Sequence, residues 1–251
     1  MPNWCENTLE VDTTDATLAK AIAEKVFRFD PKEKERIVDF NLLLPMPEEL
    51  NITCGSFGDF SETLLRLDQS QTLTDNLIAD YITENERKGL RLSLLSRQNN
   101  WTIGNFVDFL RNNPDEQNYF GYDLALGQAY IDNQLKYGAR TWYDWAYNNW
   151  GVKWNANTQY CDEFNDGNTC FYVCFDTAWN PPNEWVNTLI QTFPDAKIKL
   201  TYFEPGIFFG GVESSDETET CYYQYPDSTK QALKIAEEFG YSEEDFEFSE
   251  Q

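Results

Sequence analysis

The stretch from residue 169 to residue 185 constrains the fold more than any other part of this chain. Residues 169–179 have the sequence TCFYVCFDTAW, a run of β-branched and aromatic residues that is typical of a largely buried strand. Pro181 and Pro182 end this strand, because proline cannot donate to a sheet ladder, and they suit the first turn of a helix. The sequence therefore predicts a central strand followed directly by a helix.

The segments on either side of this stretch repeat a β-α-β order. Before it, the spacing of apolar residues predicts a strand at residues 7–11, a helix at 16–27 and a second strand at 37–42. After it, the pattern predicts a helix from residue 185, a strand at 197–204, a hairpin through 207–212, a strand at 221–225 and a helix at 229–239.

Together these elements predict an α+β fold, a ferredoxin-like split β-α-β antiparallel sheet covered by helices. Residues 1–50 and 149–225 form this core in the prediction. Residues 51–148 carry apolar side chains at helical spacing, so we expect a large, mostly helical insertion there. Residues 226–251 are expected to form a C-terminal helix and an acidic tail.

The charge balance restricts the kinds of partner that the chain can bind. Its 43 acidic and 19 basic residues give a formal net charge of −24. A surface of this sign repels phosphate, so we expect no direct binding to nucleic acid or to an anionic membrane. It attracts basic surfaces, many of which are the nucleic-acid channels of other proteins. A role in solubility alone would explain the same charge.

Composition also argues against several classes of catalytic and metal site. The chain has no histidine, which removes Ser-His and Cys-His nucleophile pairs and HExxH zinc sites. The sequence has no phosphate-binding loop and no set of carboxylates at the spacing typical of metal ligands, so we expect no cofactor and no metal. The six cysteines are irregularly spaced, and we expect them to be reduced thiols that pack in the hydrophobic core. They are Cys5, Cys54, Cys161, Cys170, Cys174 and Cys221.

The chain has no sequence signal for export or membrane insertion. No run approaches the roughly 20 apolar residues that a membrane span needs. Residues 1–4 do not resemble the start of a signal peptide. We therefore expect a cytoplasmic protein.

Four short motifs resemble those of a known family. They are MPNWCEN at residues 1–7, NWGVKWN at 149–155, TAWNPP at 177–182 and EPG at 204–206. In this order they are similar to the YubB-type ferredoxin-like domain family, whose members occur in conjugative plasmids, phages and prophages. The resemblance implies a ferredoxin-like fold, a mobile-element origin and no established enzymatic activity. The residues that carry it are Pro2, Asn3, Trp4, Asn7, Trp150, Gly151, Lys153, Trp154, Thr177, Trp179, Pro181, Pro182, Glu204 and Gly206.

These motif residues have two interpretations. Lys153 with Asp176 or Glu204 would be a proton-transfer pair if the two groups were buried together. Alternatively, the tryptophans pack around the sheet edge and Lys153 makes a structural ion pair. A deep pocket lined by the motif tryptophans and Lys153 would favour the first interpretation, and a filled core would favour the second.

Two further segments are candidate protein-binding surfaces. Trp142 and Trp145 form a stripe with Trp150 that either packs into the core or anchors a partner. The acidic end is either a solvated tail or a binding surface whose carboxylates are spaced like the phosphates of a nucleic acid. In the second case its phenylalanines would add apolar contacts with the partner. Its candidate binding residues are Glu243, Glu244, Asp245, Phe246, Glu247 and Phe248.

The leading functional hypothesis is a non-enzymatic protein of a phage or plasmid that binds a host protein or protein complex with a basic surface. It would inhibit an anti-phage or anti-plasmid defence system, of the anti-CRISPR or anti-restriction type, with nucleic-acid mimicry as one mode. The competing hypothesis is a small-molecule or nucleotide-modifying enzyme that uses Lys153 and nearby carboxylates. A third is a structural protein that forms a homo-oligomer through the insertion.

Overall fold

A computed structural model describes residues 3–245 except residues 33, 84, 162–163, 166, 216–217 and 223–228, with only the backbone of residues 218–222 and 229. The chain divides into two compact units. Met1–Met46 and Ala146–Gln251 form the first, and Pro47–Trp145 form the second.

The strands, in chain order, are β1 (Trp4–Asp12), β2 (Phe27–Asp30), β3 (Glu35–Val38), β4 (Asn157–Cys161), β5 (Cys170–Ala178), β6 (Lys197–Glu204), β7 (Phe209–Ser214) and β8 (Thr218–Tyr222). The α-helices are α1 (Ala16–Val26), α2 (Ser56–Arg66), α3 (Asp75–Leu77), α4 (Glu86–Asn99), α5 (Ile103–Asn112), α6 (Pro114–Phe120), α7 (Leu124–Tyr137), α8 (Trp142–Trp150), α9 (Asn183–Thr192) and α10 (Thr229–Glu238). Short 3-10 turns cover Phe40–Leu42, Glu48–Leu50 and Glu243–Asp245, and a π-helical turn covers Ile78–Ile82.

The first unit is built on a six-stranded antiparallel sheet with the order β4-β5-β1-β6-β7-β8. Strand β1 lies at its centre, and every second side chain along it, from Cys5 to Val11, is buried. Leu9 pairs with Val173 on one side and Leu200 on the other, which aligns the apolar faces of three strands. Strands β4, β5, β1 and β6, with α1 and α9, have the ferredoxin-like split β-α-β arrangement, so the predicted fold class is confirmed.

The second strand of the split β-α-β unit is not the one that the sequence predicted. Of the predicted strand at 37–42, only the first two residues belong to a strand, β3, which pairs with β2 in a separate two-stranded sheet. The Asp39 carboxylate accepts a hydrogen bond from the Asn41 backbone N–H and caps a 3-10 turn, which ends the strand. The main sheet instead takes β4 at its edge, after the second unit in the chain. That part of the prediction was wrong.

An aromatic cluster fills the core between the sheet and its helices. Phe40 lies at its centre, with ring centroids 4.8 Å from Trp185, 5.7 Å from Trp150 and 6.0 Å from Phe175. Helix α1 adds Ile22 and other apolar residues from one face, and its first turn is capped by Asp15. Aromatic pairs of this kind contribute roughly 1 kcal/mol each beyond the area that they bury.

Helix α10 packs on the opposite face of the sheet, beside β6 and β7. Its residues Ala232, Ile235 and Ala236 form a buried cluster with Phe203 and Phe208. The predicted helix at 229–239 is therefore present, and it covers part of the sheet face that α1 and α9 leave open.

The second unit is helical and has its own core. Helix α5 begins with a capping box between Thr102 and Asn105, and its Phe106 and Leu110 lie in this core. Helices α2 and α7 pack closely because Gly127 faces Ser61, where an added Cβ would lie 2.5 Å from the serine Cβ.

No helix within the described residues is long and apolar enough to cross a membrane.

The cysteine prediction was wrong for at least two residues. Cys5 is fully buried, but Cys54 and Cys170 are exposed. Alternation along β5 places Cys170 on the sheet face opposite to α1 and α9. The five cysteines whose side chains are described are free thiols, and the side chain of Cys221 lies outside the description.

Candidate functional site

The family-motif residues of β1, β5 and β6 meet at one end of the sheet. Trp4 begins β1 and lies opposite Ala178, near the end of β5, while Glu204 ends β6. The Trp179 backbone N–H donates to the Asn3 carbonyl at 2.9 Å, which joins the first two segments. Pro2 lies outside the described residues.

The buried Asn7 side chain ties β1 to β5. Its amide nitrogen lies 2.7 Å from the Cys5 carbonyl, 3.1 Å from the Phe175 carbonyl and 2.9 Å from the Thr177 hydroxyl oxygen. The Thr177 hydroxyl in turn donates to the Asn180 carbonyl at 2.7 Å. These two motif residues therefore hold the backbone that leads into Trp179.

The Glu204 carboxylate organises the turn after β6. It is 1% exposed and accepts the backbone N–H groups of Gly206 at 2.8 Å and Ile207 at 2.7 Å. A Cβ at Gly206 would lie 2.5 Å from the Asn3 amide nitrogen and 2.8 Å from a Glu204 oxygen, so a larger residue would displace one of these side chains. The first and last motifs are thus packed directly against each other.

The NWGVKWN motif connects α8 to the sheet. The Trp150 indole N–H donates to the Leu44 carbonyl at 3.1 Å, and the ring is buried in the aromatic core. Gly151 has a φ of +81° and lies so close to the start of α9 that a Cβ would be 3.2 Å from the Asn183 nitrogen. Pro181 and Pro182 are buried beside this contact.

Three other motif tryptophans are exposed to solvent. Trp4 is 40% exposed, Trp154 is 40% exposed and Trp179 is 43% exposed. The motif is therefore divided between a core tryptophan, Trp150, and indoles on the surface. Indoles at a surface are typical of interaction sites, because a large rigid side chain loses little entropy on binding.

The acidic and basic groups at this end have mostly neutral hydrogen-bond partners. Glu204 is held by backbone N–H groups, and Asp176 accepts the Gln159 side-chain amide at 2.6 Å. The Lys153 ammonium lies 4.5 Å from the centroid of the Trp154 ring. The contacts of the two carboxylates suit structural and binding roles, and the proton-transfer interpretation of Lys153 stays a hypothesis.

Two carboxylates face each other across β1 and β5 near Trp4. Glu6 and Asp176 are direct cross-strand partners on the sheet face that carries Trp4. Burial raises the pKa of the Asp176 carboxyl, the Gln159 amide lowers it, and the Glu6 charge raises it again, leaving it above its ordinary value. The Tyr241 hydroxyl donates to Glu6. Sequence reasoning missed this pair, because only the strand register shows which residue lies opposite Glu6.

The remaining predicted binding residues are not all exposed. Trp145 is buried, and Trp142 is half-buried with its ring 5.7 Å from that of Tyr143. Glu243 and Glu244 are exposed, as is Asp245, whose carboxylate accepts from the Ser242 backbone and hydroxyl. These hydrogen bonds hold the pKa of Asp245 below its ordinary value. Phe246, Glu247 and Phe248 lie outside the described residues.

A cleft in the first unit lies at the opposite end of the sheet. It has a volume of about 750 Å³ and is lined by β1, β5 and β6 residues that include Glu10, Tyr172 and Lys199. Lys199 and Glu10 form a weak ion pair across it at 3.9 Å. Within the described residues, no group of three or more Cys, Asp or Glu side chains is arranged to hold a metal ion.

Comparison with known proteins gives a family match for part of the chain. The model of a family described as the ferredoxin-like domain in Api92-like protein matches residues 149–248. No curated protein matches the chain. The crystal structure of the protein Api92 from Yersinia pseudotuberculosis is similar, with 16% sequence identity and a TM-score of 0.38, over 89% of this chain and 98% of that one.

Proposed function

We propose that this protein is a non-enzymatic binding protein whose acidic surface docks onto a basic surface of another protein. The observation that carries the proposal is the excess of carboxylates, 43 acidic against 19 basic residues. Complementary charge of this magnitude accelerates association and selects basic partners.

The ion pairs strengthen this proposal, because they use the few cations inside the chain. Arg140 alone contacts Asp59 at 3.1 Å, Asp144 at 3.2 Å and Glu62 at 3.3 Å. Other arginines and one lysine pair in the same way; these pairs are Arg28–Asp39, Arg66–Glu62, Arg91–Glu116, Arg97–Asp75, Arg111–Asp108 and Lys136–Glu49. Because the chain has 43 acidic and only 19 basic residues, an excess of carboxylate charge is available to a cationic partner.

The proposed partner is a host protein complex that itself handles nucleic acid. A groove that binds phosphates presents the cationic groups that this surface would occupy, so the chain would compete with DNA or RNA. The similarity of its motifs to a plasmid and phage family supports a more specific form of the proposal, the inhibition of a bacterial defence complex.

Affinity capture tests the proposal. The full chain is immobilised and exposed to a bacterial lysate at low salt, and the captured proteins are identified and purified. We expect a protein with a basic groove whose binding to this chain is displaced by double-stranded DNA or by RNA. A captured partner that binds equally well with and without excess nucleic acid would contradict the mimicry, and the capture of neutral or acidic proteins alone would contradict the function.

A further inference from the structure

The motif end of the sheet carries four exposed apolar side chains. Trp4 begins β1, Trp179 follows β5, Trp154 precedes β4, and Ile207 follows β6 with 65% of its surface exposed. Because these strands are antiparallel neighbours, all four positions lie at the same end of the sheet. We call Trp4, Trp154, Trp179 and Ile207 the tryptophan end.

The backbone at Trp179, whose side chain is exposed, is strained. Its φ is +74°, in the left-handed region that bulky side chains rarely adopt. The hydrogen bond from its N–H to the Asn3 carbonyl fixes this conformation. Strain of this kind concentrates at binding and catalytic sites, because a residue that served only stability would be replaced by glycine or asparagine.

The polar groups beside Trp4 indicate the charge of what binds there. Glu6 and Asp176 lie opposite each other on the same sheet face, and like charges in this arrangement repel. Their hydrogen-bond partners within the described residues, Tyr241 and Gln159, are neutral. A cation placed between the two carboxylates would remove this repulsion and gain an ion pair with each.

The tryptophan end already holds one cation. The Lys153 ammonium lies over the Trp154 ring at 4.5 Å from its centroid, a cation–π contact within the chain. Arginine suits such a site better than lysine, because its planar guanidinium stacks on indoles and also binds carboxylates through two parallel hydrogen bonds.

We propose that the tryptophan end binds an arginine-bearing segment of the partner protein, whose side chains stack on the exposed indoles and reach Glu6 and Asp176. This proposal rests on the proposed function and adds the docking site and the chemistry of the docked segment. In this proposal the tryptophan end contacts the docked segment directly. The rest of the acidic surface attracts the partner at long range and makes no stacking contacts.

Binding of defined peptides to the full chain tests the proposal. The probes are a short peptide of alternating arginine and glycine, a matched lysine peptide and a matched uncharged leucine peptide, each followed by fluorescence anisotropy. Trp4→Ala and Trp179→Asn are the test variants. Phe29→Ala is the control, because Phe29 is an aromatic residue with 61% exposure in the separate β2-β3 hairpin.

We expect the arginine peptide to bind more tightly than the lysine peptide. Each tryptophan substitution should weaken arginine-peptide binding about fivefold, and Phe29→Ala should change it less than about twofold. Asparagine tolerates the left-handed backbone, so Trp179→Asn should have a melting temperature equal to or above that of the wild type. A loss of affinity in a variant of unreduced stability shows that Trp179 contacts the ligand.

The other outcomes separate the two proposals. If the arginine peptide binds in a salt-sensitive way but equally to all variants, the docking site is wrong and the acidic binding function stands. If the leucine peptide alone depends on the tryptophans, the arginine chemistry is wrong. If neither cationic peptide binds, the proposed function and the docking site both fail.

Discussion

At the scale of single residues, the buried polar groups of the motifs stabilise the fold, and their contribution to the free energy of unfolding can be measured. Asn7 is 1% exposed and its amide serves three acceptors on β1 and β5. Asn7→Ala removes these hydrogen bonds from a buried place where water cannot replace them. We predict a loss of about 2 kcal/mol in the free energy of unfolding, measured by urea denaturation.

The control for Asn7 is its neighbour on the other sheet face. Thr8 is half-buried, and its hydroxyl makes a long contact of 3.9 Å with the Cys174 sulfur. Thr8→Ala should therefore cost less than half as much as Asn7→Ala. Equal effects of the two substitutions would show that the Asn7 network does not hold β1 to β5.

Asp176 gives a prediction about pH. Its folded-state pKa is raised, mainly by burial, so the folded chain holds this proton more tightly than the unfolded chain. The stability from protonation is present below the unfolded pKa and is lost as the pH rises through the folded pKa. Asp176→Asn should therefore raise the melting temperature at pH 7, with a gain that shrinks as the pH falls through the folded pKa and is gone below the unfolded pKa of about 4.

Thermal unfolding across pH 3 to pH 8 measures this effect, with the exposed Asp195→Asn as control. Asp195→Asn should change the melting temperature little at any pH. If Asp176→Asn lowered the melting temperature at pH 7, the repulsion between Glu6 and Asp176 would not be a cost in the folded state.

At the scale of elements, two glycines predict opposite effects of the same substitution. Gly206→Ala places a Cβ 2.5 Å from the Asn3 amide nitrogen, so the Asn3 side chain or the turn after β6 must shift, at a cost of about 1–3 kcal/mol. Gly89→Ala lies inside helix α4, where the new Cβ would make ordinary contacts of 3.7 Å and 3.8 Å with Ile78 and Thr83. Because alanine favours helix, it should add about 0.5–1 kcal/mol.

Urea denaturation of the full chain measures both glycine variants. Each should change the transition of the unit in which it lies, the first unit for Gly206 and the second for Gly89. A Gly206→Ala variant as stable as the wild type would contradict the close packing of the first and last motifs, and a destabilising Gly89→Ala would contradict the space assigned to its Cβ.

The elements that could be predicted from sequence are those with a strong periodic pattern. Strand β5 combines β-branched and aromatic residues with a proline stop, and α1 has apolar residues at helical spacing, so both were placed within one residue of their observed ends. Strand β4 could not be found, because its NTQYC sequence is polar and lies exposed at the sheet edge. Residues 37–42 look more like a strand, but the Asp39 cap turns them away from extended structure.

The candidate site was only partly predictable for a similar reason. Trp4, Trp150 and Trp179 were found as motif residues, but no local pattern tells a core indole from a surface one. The pairing of Glu6 with Asp176 needs the register of β1 on β5, which is a property of the folded sheet. Sequence reasoning therefore found these tryptophans in the motifs but could not say which of them face solvent.

At the scale of the whole molecule, the second unit should fold without the first. Its core includes Leu64, Leu92, Phe106 and Phe120, all within Pro47–Trp145. A fragment of residues 47–145 is thus expected to give a helical circular dichroism spectrum and a cooperative thermal transition. A spectrum without helix, or a gradual loss of signal on heating, would show that this core needs the rest of the chain.

The central claim is that charge attraction to a basic partner drives binding, and the salt dependence of the purified complex tests it most directly. The dissociation constant of the wild-type chain with its captured partner is measured across a series of sodium chloride concentrations at constant pH. Salt screens exposed charges within about 10 Å at 0.1 M, so we predict that affinity falls more than about tenfold between about 50 mM and about 500 mM salt. An affinity that stays constant over this range would contradict binding through the acidic surface.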